Sequence, residues 1–162
     1  MKMNGVLFLI GLVLVLVAPG VSHSGGTAAL PVNAVVLADS NCRFRNPRTA
    51  NLNFGTLDPD NPVDVTRTAT LRFRCSGRDV NVVFSISDDD GLHESGPGAK
   101  RMRHETDPAY YLPYSMTMSP SSGTVRRNTN QILTVEGTVR GADYGNAVPG
   151  DYADTVTVTI VP

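Results

Sequence analysis

The alternation near the end of the chain limits its fold most. Val156, Val158 and Ile160 take turns with Thr155, Thr157 and Thr159. A period of two in β-branched residues suits a half-buried strand and no helix face. The same period recurs upstream. Residues 68–75 set Ala69, Leu71, Phe73 and Cys75 against Thr68, Thr70, Arg72 and Arg74. Residues 81–87 put Val82, Phe84 and Ile86 on one face. Leu112, Tyr114, Met116 and Met118 alternate with polar or turn residues, and Leu133, Val135 and Val139 share a face with Gly137. A shorter candidate, residues 50–54, points Leu52 and Phe54 inward. Turn signals such as Asn61-Pro62, Ser76-Gly77 and Pro149-Gly150 separate these six strands. No window has a convincing helical period. The expected class is all-β, an immunoglobulin-like antiparallel β-sandwich. Residues 88–107 form the longest polar connection and are expected to be a mobile loop.

The start of the chain reads as an address. Lys2 precedes an apolar run over residues 6–18, which Pro19 and Gly20 break, and the small residues Ser22 and Ser24 follow. That is the anatomy of a signal peptide, assigned to residues 1–24. The run is short for a membrane span. No second long apolar run exists, so the mature chain is expected to be exported, soluble and free of stable membrane insertion. Composition allows a packed core, with 41% hydrophobic and 18% charged residues. The net charge of -1 argues against nucleic acid as a partner. Two cysteines in an exported chain predict a disulfide, Cys42 with Cys75. Cys75 falls on the core-facing side of its strand, and Cys42 lies just before the first short strand.

The strand count is one short. A complete immunoglobulin-like sandwich has about seven strands, and six follow Cys42. Residues 27–38 are apolar and lie outside the disulfide loop, with Leu30, Val32, Ala34 and Val36 at every second position. They suit either an ordinary first strand of the same molecule or pegs for a hydrophobic groove. Pro31 fits an edge better than a sheet centre. The organisation expected is therefore a leader, an N-terminal extension over residues 25–41, and a sandwich domain over residues 42–162.

Chemistry-bearing constellations are weak. His93 and His104 lie in the long connection with Asp88, Asp89, Asp90, Glu94 and Glu105, but the spacing matches neither a calcium loop nor a zinc site. No Gly-x-Ser-x-Gly turn is present. No catalytic residue, cofactor or metal is expected. Lys100, Arg101 and Arg103 read as a solvated basic cluster balanced by the preceding aspartates. Tyr110, Tyr111 and Tyr114 could line a sugar platform, with Tyr114 expected in the core. Tyr152 follows a Pro-Gly turn and is expected to act as a structural corner. Gly137 either leaves room for an incoming side chain or marks a bulge.

Four segments resemble the spore coat protein U domain family, which includes pilins of the archaic chaperone–usher pathway. They are the apolar stretch running into Asn41-Cys42; Leu52-Asn53-Phe54-Gly55 with Asp58-Pro59; Lys100-Arg101-Met102 followed by Tyr111-Leu112-Pro113-Tyr114-Ser115; and a closing motif carrying Pro149, Gly150, Tyr152 and Asp154 ahead of the final alternation. Together they span most of residues 27–162. The Trp-Gly pair often found after the Tyr-Ser strand is missing, and Gly145-Asn146 replaces the usual Gly-Gln.

The resemblance implies a mechanism. A pilin's sandwich lacks its last strand, which leaves a hydrophobic groove. A periplasmic chaperone fills the groove first, and at an outer-membrane usher the N-terminal extension of the next subunit replaces it. Leu30, Val32, Ala34 and Val36 would then be the donor pegs, and the disulfide would brace the acceptor. The implied function is a structural subunit of a surface pilus that supports adhesion or biofilm formation, with other pilus subunits, chaperone and usher as partners. The alternatives are a self-contained secreted coat protein and a carbohydrate-binding surface module.

Overall fold

A computed structural model describes residues 33–34 and 39–162. The leader and the expected pegs Leu30, Val32 and Val36 lie outside the described residues. Ala34 sits in the two-residue stretch 33–34, which has no regular structure.

From residue 39 onward the regular structure is nearly all strand. Ten strands form three antiparallel sheets. The first sheet runs β1 (Ser40–Phe44), β2 (Val65–Gly77), β8 (Asn130–Val139), β6 (Ser115–Ser119). The second runs β10 (Val158–Val161), β3 (Asn81–Asp88), β7 (Ser122–Arg126). A small third sheet runs β5 (Tyr111–Pro113), β4 (Arg101–His104), β9 (Tyr152–Ala153). One helical turn, α1 (Gly141–Tyr144), follows β8.

The alternation builds the core as expected. Leu71, Phe73 and Cys75 of β2 face Val82, Phe84 and Ile86 of β3, with Leu133 and Val135 of β8 beside them. Phe73 and Phe84 pack as a tilted ring pair with centroids 4.9 Å apart. Cys42 and Cys75 are direct cross-strand partners in the β1–β2 ladder and form the disulfide. A second, smaller cluster gathers Phe54, Leu112, Val139 and Tyr144 at the other end of the sandwich.

Several expectations need correction. Residues 122–126 lie outside the six expected strands, yet they form β7 on β3, where Gly123 lies over the ring of Phe84 and leaves room for it. The connection over residues 88–107 is a loop only in part: residues 89–99 have no strand and are mostly exposed, but the rest is ordered. It holds β4, and both Lys100 and His104 in it are buried. Residues 50–54 point Leu52 and Phe54 inward as expected but belong to no ladder. The closing alternation keeps its inward valines, while its ladder begins only at Val158. The last two departures share one cause, the gap between these segments.

Candidate functional site: an open apolar groove

Two extended segments without a ladder, residues 48–57 and 154–157, face each other across a groove of about 980 Å³. Leu71, Val135, Met116, Leu112 and Tyr114 supply much of its floor. Leu71, Val135, Met116 and Leu112 are core-facing positions of β2, β8, β6 and β5, and Tyr114 lies between β5 and β6. A sandwich that had all its strands would cover them.

One wall shows why a strand fits there. The carbonyls of Thr155 and Thr157 accept hydrogen bonds from the backbone N–H groups of Leu92 (3.1 Å) and Asp89 (3.2 Å). Thr157 N–H in turn donates to Asp89 Oδ1 at 2.8 Å. In an extended chain the backbone groups of neighbouring residues point to opposite sides. Those of Val156 and Val158 are therefore turned away from β3 and toward the groove. The opposite wall, residues 48–57, likewise has no ladder partner among the described residues. An edge of this kind is a template for strand addition.

Gly137 does not serve an incoming side chain. A Cβ there would lie 3.1 Å from Leu52 Cδ1 and 3.1 Å from Phe54 Cζ. The chain's own wall residues fill that space, so Gly137 seats residues 52–54 against β8.

The closing motif holds the other wall. His104 Nδ1 accepts the N–H groups of Asp107 (3.0 Å) and Thr106 (3.2 Å). That leaves Nε2–H to donate to Pro149 O at 3.1 Å. Gly150 packs directly on this imidazole. Tyr152 stacks edge-on against His104, and its hydroxyl donates to Val148 O at 2.8 Å, a tyrosine corner at the entry to the last strand. Asp154 Oδ1 accepts Leu92 N–H at 3.0 Å and Oδ2 accepts the Tyr114 hydroxyl at 2.7 Å. The motif thus ties the last strand to β4, to residues 89–92 and to the groove floor.

Lys100 was invisible as a buried residue in the sequence. Its Nζ lies 2.5 Å from Asp88 and 2.5 Å from Asp90. Burial works against its charge, but the hydrogen bonds it donates to these two carboxylates outweigh that and hold its pKa above the usual lysine range. Lys100 in turn holds the Asp90 carboxyl below its usual range. The expected basic cluster is therefore dispersed. Arg101 lies over the Tyr111 ring at 3.7 Å and donates to His93 O, while Arg103 is exposed. Among the described residues no group of three or more His, Cys, Asp or Glu is placed to hold a metal.

Tyr114 carries a pH signature. Burial first, and then the Asp154 carboxylate, push its phenol far above the usual tyrosine value. In the unfolded chain it ionises near pH ~10, whereas folding keeps it protonated. Its contribution is therefore complete below about pH 10 and is lost as pH rises above it. Tyr114→Phe should flatten the fall of unfolding free energy between about pH 10 and 11.5. The expected change is up to ~1 kcal/mol per pH unit, allowing for partial solvent access to the ring. Urea unfolding of both proteins across that range checks it, and equal slopes would show that Tyr114 ionises freely in the fold.

With this geometry in place, the family is evident. The model of the Spore Coat Protein U domain matches residues 26–159. The chain belongs to that family. Among solved structures, it is similar to a chain from a chaperone–tip adhesin complex of CFA/I fimbriae biogenesis, with a TM-score of 0.50 and 11% identity. That likeness covers 75% of this chain and 42% of the other, so this chain spans less than half of its length. At this identity the likeness is one of fold. A chain from AAF fimbriae of enteroaggregative Escherichia coli, in work on fibronectin binding and biofilm formation, aligns with 16% identity over 75% of this chain and 97% of its own, at a TM-score of 0.30. The comparison with curated proteins returns no match.

Proposed function

We propose that this chain is a structural subunit of a surface fimbria, assembled by donated strands. The observation that carries the reading is the groove, whose two walls are extended, apolar on their inner side and, among the described residues, without a ladder partner on the edges that face it. A strand laid between residues 48–57 and 154–158 would complete the second sheet and cover the floor. The segment with Leu30, Val32, Ala34 and Val36 is the proposed donor, provided by a neighbouring subunit. Each fully buried Leu or Val peg adds about 1.5–3 kcal/mol, and Ala34 adds least. A periplasmic chaperone would occupy the groove during transit and an outer-membrane usher would catalyse the exchange. The fibre would serve adhesion or biofilm formation. The fimbrial origin of the similar fold agrees with this reading.

The test uses residues 40–162, refolded oxidatively, with and without a peptide of residues 27–39. Saturable thermal stabilisation is expected, about 2.7 kcal/mol when the peptide stands at a hundred times its Kd. The intact mature chain should form polymers. A truncated chain that is stable and indifferent to the peptide would overturn strand donation. Rescue by peptide, with an intact chain that stays monomeric, would place the donor in its own groove and favour the self-contained coat protein.

A further inference from the structure

We propose that copies of this chain dock end to end through opposite charges, the basic end of one sandwich resting on the acidic end of the next. The inference rests on the donated-strand reading and adds to it what orients and steers the joint.

The strand register sorts the charged residues. β2 runs from Val65 at one end to Gly77 at the other. Asp88, Val139 and Val158, at the ends of β3, β8 and β10, lie with Val65. Ser40, Asn81 and Arg126 lie with Gly77. Of the chain's 15 acidic residues, all but Asp39 and Asp79 belong to the half that starts at Val65. Its bases are Arg67, Lys100, Arg101, Arg103 and Arg140, and Lys100 is already matched by two aspartates. Asp58, Asp60, Asp143 and Asp151 are exposed there.

The half that ends at Gly77 is the reverse. Arg78, Arg126 and Arg127 stand at its tip. Arg45, Arg48, Arg72 and Arg74 surround one shallow concavity with Asn130. Arg43 lies directly across from Arg74 in the β1–β2 ladder. Like charges in direct opposition weaken a sheet. Among the described residues, none of these arginines has an acidic side chain within ion-pair distance. A local rule broken without local compensation points to a use outside the fold.

The direction of the donated strand decides which ends meet. Neighbouring strands in these sheets are antiparallel. A strand added beside residues 154–161 therefore runs from the basic end of the acceptor to its acidic end. The last peg, Val36, precedes Asp39 by three residues, which span at most about 10 Å. The donor's body then begins at Ser40, opposite Gly77, at its own basic end. That end must come down over the acceptor's acidic mouth, where Pro59, Pro149 and Asp151 line the groove. The contact is head-to-tail and open, so it repeats along a fibre. Charges of this arrangement act beyond contact range and are screened within about 10 Å at 0.1 M salt.

The test follows polymer growth of the oxidised mature chain, residues 25–162, by light scattering at about 0.02 and 0.5 M NaCl. Binding of the uncharged peptide 27–38 is measured in parallel. Growth is expected to slow at least ~10-fold in high salt, with peptide binding unchanged. Arg78→Glu with Arg126→Glu should slow growth at low salt, as should Asp60→Lys with Asp151→Lys. All four together should restore it. Growth indifferent to salt and to both reversals would overturn the charge docking, as would no growth from a chain that binds peptide. A chain that binds no peptide refutes the donated strand, and with it the end-to-end orientation of the charge docking.

Discussion

Replacing Cys42 and Cys75 together by alanine is expected to cost about 4 kcal/mol of unfolding free energy, within the usual ~2–5 kcal/mol for a native bridge. The bond closes a loop of sequence separation 33. By chain entropy alone a loop of that size falls between the ~3 kcal/mol of a short loop and the ~4.7 kcal/mol of a very long one. Cys75 is fully buried among Phe73, Leu133 and Val82, so the lost sulfur also leaves poorer packing. The consequence reaches the groove. Among the described residues β1 has only one ladder partner, β2, and the wall over residues 48–57 follows it directly. Urea unfolding of the oxidised parent and the double variant measures the loss. A difference under about 1 kcal/mol would mean that the ladder alone holds β1.

Gly150→Ala is expected to destabilise the sandwich by about 2–3 kcal/mol. Gly150 has φ 152, a backbone conformation that suits glycine. A Cβ at that position would lie 2.1 Å from His104 Nε2. The imidazole is itself held by Pro149 O and by two backbone N–H groups, so it cannot step aside without leaving them unpaired. His104→Ala costs those contacts but removes the obstruction. In the combined variant the two losses should therefore add to less than their sum, by about 0.5–3 kcal/mol. Chemical denaturation of the four proteins completes this cycle, and simple additivity would show that Gly150 is needed for its backbone angle alone. Peptide binding should weaken in Gly150→Ala, because residues 149–151 line the groove.

Much of this was legible in the residues. Alternation in residues 68–75, 81–87 and 133–139 marked the strands that carry the core, because a half-buried strand imposes its period on the sequence. The cysteine pair was legible from the export that the N-terminal residues led one to expect and from the face that Cys75 shares with Phe73. The family resemblance lay in Pro149, Gly150, Tyr152 and Asp154, and Tyr152 was legible as a corner, but the roles of Gly150 and Asp154 were not. That Gly150 abuts His104, or that Asp154 joins Leu92 to Tyr114, depends on residues far apart in the chain. Lys100 and β7 were missed for a related reason. A lysine among aspartates and a Ser-Gly-Thr stretch look solvated until two strands come beside them.

Local pattern therefore settled the class of fold, the inward faces and the pairing of the sulfurs, since each follows from side-chain period or from the chemistry of one residue type. Whether those strands close on themselves lies in no local period. Residues 50–54 and 155–157 have the same alternation as their neighbours, yet they end beside a gap instead of a partner. The gap, and the separation of acidic from basic residues along the sandwich, arise from how distant strands are ordered in the sheets. Strand order is a property of non-local pairing, which no window of sequence contains.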